Sequence, residues 1–164
     1  METLMTTQTA SEKIPFRIRL LRAANPLTMT LLRSRLHFLL SRELLVTNFR
    51  GRKSGKQFSA PLSYVELDGR LYLCTRPEVA NWWKNMRDGA SVEIIWRGQP
   101  TQAHATVLDS ASEEAEAGFR AFLTRYPGTA SMLYNVEIRR DGEPKNEDAL
   151  REVQQSVIVR IEPE

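Results

Sequence analysis

Residues 44–67 place a short basic loop between two apolar runs of the kind that form β-strands. The loop reads Arg50-Gly51-Arg52-Lys53-Ser54-Gly55-Lys56 and carries four cationic side chains, two glycines and a hydroxyl. Glycines let the backbone turn so that its N–H groups converge on one point, and lysine, arginine and serine add charge-assisted donors. The pattern predicts a phosphate-binding loop on a β-scaffold, with a solvent-exposed basic hairpin as the alternative.

The strand signals are separated by turns and by a few helical segments. Helices are predicted over residues 26–41, 79–87 and 112–125, and a loop with a helical insertion over residues 141–155. Gly98 with Pro100 marks a turn, and Tyr126-Pro127-Gly128 is expected to end the third helix. Six strands are predicted, at residues 44–49, 58–67, 70–75, 91–97, 101–108 and 156–161.

Strands linked mainly as hairpins predict an α+β fold built on an antiparallel barrel or curled sheet. Asp68-Gly69 is the clearest tight turn between two of them. Closure is favoured because it removes exposed strand edges. The sequence has neither βαβ alternation nor a GxGxxG motif, which disfavours a Rossmann domain.

Composition and charge exclude several kinds of partner. The single cysteine, Cys74, rules out an intrachain disulfide and a cysteine metal site, and two isolated histidines offer no metal constellation, so no metal is expected. Residues 1–42 hold seven Lys/Arg and two acids, a local charge of +5. Basic residues are not interleaved with aromatic ones and no helix-turn-helix pattern is evident, so we expect no nucleic-acid partner.

The basic N-terminal part has two interpretations. Residues 16–22 alternate bulky apolar and basic side chains, which suits either weak association with a membrane surface or packing across the protein's own barrel. No signal-peptide pattern and no apolar run of spanning length are found, so a cytoplasmic location is expected, with peripheral association at the inner face of the membrane if the anchor forms.

Residues 75–86 combine the end of a strand, a cationic loop and a helix that opens with Trp82 and Trp83. Adjacent helical residues point about 100° apart, so both tryptophans cannot enter one core. One of them is expected to form an interface or the wall of a ligand site. The alternative is that Trp83 packs in the core while Trp82 caps the mouth of the barrel.

These motifs together resemble the deazaflavin-dependent nitroreductase family, which are split β-barrel proteins of the flavin/deazaflavin oxidoreductase superfamily. The resemblance covers about residues 25–140 and 156–162. It rests on Leu45-Val46-Thr47, the Gly51–Lys56 loop, Pro61-Leu62, Tyr64, Asp68-Gly69, Trp82-Trp83-Lys84-Asn85, Gly89 and Tyr126-Pro127.

The resemblance implies a site for reduced deazaflavin coenzyme F-420 in a groove of the barrel. The loop from Arg52 to Lys56 would hold the phosphate and acidic tail, and hydride would pass to a quinone, nitroaromatic or activated alkene. Tyr126 or Tyr134 would donate a proton to the acceptor, with a packing role as the alternative for both. The implied cofactor-binding residues are Arg52, Lys53, Ser54, Gly55, Lys56, Pro61, Leu62, Thr75, Arg76, Trp82, Trp83 and Asn85.

The chain also departs from the family pattern. Asn48-Phe49-Arg50 stands where members often have small residues, and Arg76-Pro77-Glu78-Val79 replaces a glycine-rich loop, so fewer N–H groups can converge there. Two other functions remain open: an FMN-dependent split-barrel oxidoreductase, and a non-catalytic barrel that binds a phosphorylated or acyl ligand. The expected organisation is a flexible basic segment at 1–22 and a split-barrel domain at 23–164. Because homodimers are common among split-barrel proteins, a homodimer is a further expectation.

Overall fold

The computed structural model describes residues 42–164. These residues form seven strands and three α-helices. The strands are β1 (Leu44–Arg50), β2 (Gln57–Ser63), β3 (Val65–Leu67), β4 (Arg70–Thr75), β5 (Ala90–Trp96), β6 (Gln99–Val107) and β7 (Val157–Pro163). The helices are α1 (Glu113–Arg125), α2 (Pro127–Tyr134) and α3 (Asn146–Gln155), with a 3₁₀ helix at Trp82–Met86. The predictions for segment 1–22 and helix 26–41 lie outside the described residues.

The strands form one antiparallel sheet in the order β2-β1-β5-β6-β7-β4-β3. Its two edge strands, β2 and β3, are consecutive along the chain and are separated only by Tyr64. Because one residue joins the two edges, the sheet has to curl until they approach each other. The predicted α+β split-barrel fold is therefore confirmed.

The barrel wall is open beside β4. Strand β3 pairs with β4 only over Arg70, Leu71 and Tyr72, whereas β4 continues to Thr75 along its other partner, β7. Within residues 42–164, no strand pairs with the second half of β4 on the β3 side. We call this gap between β4 and β2 the split.

Alternating residues along the strands fill two apolar layers. Leu71 and Leu73 of β4 face the barrel interior, whereas Tyr72 faces the helices. The interior layer also contains Leu45, Phe49, Tyr64, Trp83, Met86, Val92, Ile94, Ala103, Ala105, Val159 and Ile161. The helical layer contains Ala115, Phe119, Phe122, Leu123, Ala130, Tyr134, Val136, Ala149, Val153 and Ile158. The helices thus cover one outer face of the barrel.

The strand predicted over residues 58–67 is interrupted at Tyr64, so the sheet has seven strands where six were predicted. The carbonyl of Tyr64 accepts a hydrogen bond of 2.7 Å from the hydroxyl of Tyr126. The hydroxyl of Tyr64 accepts another, of 3.1 Å, from the Trp96 indole. The Tyr64 N–H donates to the Glu43 carbonyl at 3.3 Å, whereas its carbonyl and its hydroxyl both bond to residues far along the chain.

Two further local predictions need correction. The β5–β6 turn is formed by Arg97 and Gly98, with φ of 52° and 78°, and Pro100 lies inside β6. Helix α1 is preceded by Ser112, whose Oγ accepts from the N–H of Ala115 at 3.2 Å, and it ends before Tyr126 as predicted. The chain nevertheless resumes a helix at once, because Pro127 suits the first position of α2.

Candidate functional site

Two cavities contain most of the candidate residues. The first, which we call the loop cavity, measures about 740 Å³ and lies beside the basic loop, where it is lined by residues that include Arg50, Arg52 and Asn85. The second, the split cavity, measures about 430 Å³ and opens between β2 and β4. Of the predicted site residues, it brings together Pro61, Leu62, Thr75, Arg76, Trp82 and Tyr134.

The basic loop is a tight turn held by its own backbone. The N–H of Gly51 donates to the Lys56 carbonyl and the N–H of Gly55 donates to the Gly51 carbonyl, both at 2.8 Å. The N–H of Lys56 donates to Ser54 Oγ at 3.3 Å. A Cβ on Gly51 would lie 2.7 Å from that Oγ and 2.8 Å from the ring of Phe58, so a side chain at this position would have to displace both.

These hydrogen bonds leave fewer backbone N–H groups for an anion than the sequence predicts. The predicted backbone cradle would need converging free N–H groups, whereas those of Gly51, Gly55 and Lys56 donate within the loop. What the loop presents outward is side-chain charge, because Lys53 and Lys56 are both exposed. An anion would therefore be held mainly by lysine side chains.

Asn85 joins the loop to the 3₁₀ helix. Its Oδ1 accepts from the backbone N–H of Arg52 at 3.0 Å, and its Nδ2 donates to the Trp82 carbonyl at 3.0 Å. The Arg52 guanidinium also donates to Asp88 at 2.6 Å. The GRKSGK and WWKN motifs are therefore in direct contact, and Asn85 positions the loop.

Replacing Asn85 with alanine is expected to loosen the loop without unfolding the barrel. The loss of both side-chain bonds frees the Arg52 N–H, and we expect amide exchange at residues 51–56 to accelerate about fivefold, since a net hydrogen bond contributes about 1 kcal/mol. Hydrogen-exchange mass spectrometry measures this. Asp88→Ala is the control, because it removes only an exposed ion pair of the same loop. Equal protection in Asn85→Ala and the unmodified protein would contradict the positioning role.

The paired tryptophans occupy different environments. Trp83 is 7% exposed, lies in the interior layer and donates its indole N–H to the Ala80 carbonyl at 2.8 Å. Trp82 is only partly buried and lines the split cavity. Trp83 therefore packs in the core, whereas Trp82 lies in the wall of a cavity, a position compatible with both interpretations of that residue.

The two candidate tyrosines also differ in position. The Tyr126 hydroxyl lies 2.7 Å from the Tyr64 carbonyl and 2.9 Å from the Glu43 carbonyl, and burial raises its pKa to about 12. Tyr126 lies outside the lining of both cavities. Tyr134 is 1% exposed, lines the split cavity and packs edge-on against Phe119. Burial raises the pKa of Tyr134 well above its usual value, so its hydroxyl stays protonated at neutral pH.

Arg76 is held by two carboxylates. Its Nη1 lies 3.2 Å from Glu78, and its Nη2 donates to Glu152 of α3, a residue that is 5% exposed. Burial lowers the pKa of Arg76, but the hydrogen bond and charge of Glu152 outweigh burial and raise it. The sequence interpretation missed Glu152, although an acid three positions after Ala149 and one before Val153 falls on the apolar face of a helix, and that was the available signal.

Other kinds of site find no support in the part of the chain that the structure describes. Residues 42–164 contain no group of three or more His, Cys, Asp or Glu that could hold a metal ion. In the same residues, no helix is both long and apolar enough to cross a membrane. Cys74 lies in the wall of the split cavity, where burial raises the pKa of its thiol far above the usual value.

Comparison with known proteins agrees with this architecture. No family model matches the chain, and no curated protein matches it. Among solved structures, an F420-H2 dependent reductase (FDR-A) has 19% sequence identity and a TM-score of 0.53, covering 74% of this chain and 95% of that chain. A structure described as a domain-swapped dimer has 22% identity and a TM-score of 0.50, covering 72% of this chain and 80% of that chain.

At these identities the likeness establishes the fold, and the fold defines the class: a split β-barrel. The resemblance that the motifs indicate therefore extends to the fold, and one solved structure of similar architecture is described as an F420-H2 dependent reductase.

Proposed function

We propose that the protein is an oxidoreductase that transfers hydride from reduced deazaflavin coenzyme F-420 to a quinone, nitroaromatic or activated alkene. The observation that carries this proposal is that a cationic loop and an apolar cavity lie at opposite ends of the same strand, β2. Lys56 and Pro61 are five positions apart, which is about 16 Å along a strand. An elongated cofactor with a planar ring at one end and an anionic tail at the other suits this spacing.

Each part of the site suits a different part of such a cofactor. Lys53 and Lys56 offer ammonium groups to a phosphate or carboxylate tail, and Asn85 keeps the loop in place. Pro61, Leu62 and Trp82 offer an apolar wall to a planar ring. The residues present therefore fit the group that the resemblance implies, whereas Trp83 and Tyr126 line neither cavity.

When bound, the reduced deazaflavin supplies the hydride, and the protein supplies orientation and exclusion of water. The apolar lining of the split cavity would limit the access of water to a ring bound there. Tyr134 is the candidate donor, since its protonated hydroxyl belongs to a residue of the cavity wall and could hydrogen-bond the acceptor oxygen. Tyr126 instead uses its hydroxyl to fix Tyr64 and Glu43.

The remaining parts of the proposal concern organisation. We infer a cofactor-binding domain over residues 23–164 in a cytoplasmic protein, with segment 1–22 as a separate basic extension. A homodimer is also proposed, and the structural likeness to a domain-swapped dimer supports it.

The experiment that tests the function is a titration of the purified protein with deazaflavin and with FMN, followed by tryptophan fluorescence. Tight binding of deazaflavin with quenching that disappears in Trp82→Phe is the expected result. Tighter binding of FMN would mean that the cofactor is FMN, and the protein would still be a split-barrel oxidoreductase. Binding of neither would overturn the redox proposal and favour a barrel that binds a phosphorylated or acyl ligand.

A further inference from the structure

The split cavity contains a cation whose charge is already balanced inside the protein. Among the described residues that line the cavity, Arg76 is the only charged one. Its side chain is 23% exposed, and the side chain of its partner Glu152 is 6% exposed. A pair with so little exposure is screened weakly by solvent, so its partners attract each other far more strongly than a surface pair.

Other charged side chains surround the Arg76–Glu152 pair. Glu78 contacts Arg76 as a second carboxylate, at 3.2 Å. Arg151 reaches the other oxygen of Glu152 at 3.4 Å, but it is half exposed and also pairs with Asp148 at 3.2 Å. The guanidinium of Arg76 is therefore already paired with two carboxylates when no ligand is bound.

We propose that Glu152 is a specificity-determining residue, which holds the Arg76 guanidinium and thereby makes the split cavity select uncharged aromatic molecules over anionic ones. This inference deepens the proposed function, on which it rests for the kind of molecule involved. Uncharged rings enter the split cavity, whereas anionic groups are directed to the exposed lysines of the basic loop. Glu152 acts through Arg76, so it is a positioning residue rather than a catalytic one.

The physical reason for this selectivity is the free energy needed to separate the buried Arg76–Glu152 pair. An anionic ligand at Arg76 either competes with Glu152 for the guanidinium or lies beside two carboxylates, and both are unfavourable. An uncharged ring gains from burial against Trp82 and Leu62 and leaves the pair intact. Removing the charge of Glu152, with its shape kept, should therefore release Arg76 to bind anions.

Two fluorescent probes that share one aromatic skeleton test this directly. N-phenylnaphthylamine is uncharged, and anilinonaphthalene sulfonate adds one sulfonate group. We expect the unmodified protein to bind the uncharged probe more tightly, with the signal lost in Trp82→Ala, which identifies the cavity. In Glu152→Gln we expect the sulfonate probe to bind about tenfold more tightly and the uncharged probe to be unchanged, because a charge-assisted hydrogen bond becomes available. Equal changes for both probes would overturn the proposal.

A second variant keeps the test valid if Glu152→Gln does not fold. The double variant Arg76→Gln/Glu152→Gln removes both charges and leaves no buried charge unpaired. If Arg76 is neutralised in the native protein, this variant should keep the native preference for the uncharged probe. Weaker sulfonate binding in the double variant would show that Arg76 already binds anions and would overturn the proposal. Neither probe involves the coenzyme, so failure of the deazaflavin titration is distinguishable from failure here.

Discussion

Replacing Lys53 and Lys56 together with alanine is expected to raise the dissociation constant of deazaflavin about 30-fold, because two charge-assisted contacts to its tail are lost. In the proposed site, these two exposed side chains are the main groups of the loop that are available to an anion. The N–H groups of Gly51 and Gly55 donate within the loop, and the Arg52 guanidinium is paired with Asp88. The loss should be larger at low ionic strength, where exposed charges are screened less.

The control for this prediction is a double variant with the same change in net charge. Arg139 and Arg140 are adjacent residues outside the basic loop that, like Lys53 and Lys56, line neither cavity, and their replacement with alanine also removes two positive charges. Isothermal titration at two salt concentrations compares the variants. If both double variants lose the same affinity, the effect arises from the overall charge of the protein, and the role of the loop is refuted.

Trp83→Ala is expected to lower the free energy of unfolding by about 3–5 kcal/mol, because it removes a large ring from the interior layer. The change also removes the bond from its indole to the Ala80 carbonyl and the contacts of Lys84 and Arg87 with its ring, whose centre lies 5.6 and 5.0 Å from their charged groups. Trp82→Ala should cost less than about 1 kcal/mol, since Trp82 is only partly buried. Its main effect should be weaker binding in the split cavity.

Urea denaturation followed by circular dichroism measures both stabilities without relying on tryptophan emission. Adjacent residues of the same type are each other's control, since the two variants lose the same atoms. Equal destabilisation by both changes, with unchanged ligand binding in Trp82→Ala, would contradict the assignment of Trp82 to the cavity and Trp83 to the core.

Much of the fold was predictable because its signals are local. Strand β4 was predicted with its observed bounds, and the helix predicted over residues 112–125 is observed as α1 at Glu113–Arg125. The break at Tyr64 was not predictable in this way, because the Tyr64 carbonyl bonds there to Tyr126, which lies 62 positions further along the chain. Helix α2 was missed because a proline that ends one helix is also suited to begin the next.

The candidate site was predictable to a smaller extent. The basic loop and the tryptophan pair are evident from composition and spacing, and the structure brings Asn85 of the second motif against Arg52 of the first. Glu152 was missed, since it lies 76 positions from Arg76 in a segment without a recognisable motif. An acid on the apolar face of a helix is a weak signal until its partner is known.

By itself, the sequence determined the local features of this protein: where strands turn, where α1 begins, and that a basic loop stands between β1 and β2. Only the tertiary structure decided which groups are available to a ligand. It directed the glycine N–H groups into the loop, separated Trp82 from Trp83, and neutralised Arg76 with Glu152. The physical reason is that turns and helix starts depend on neighbouring residues, whereas burial and charge balance depend on groups that meet only when the chain folds.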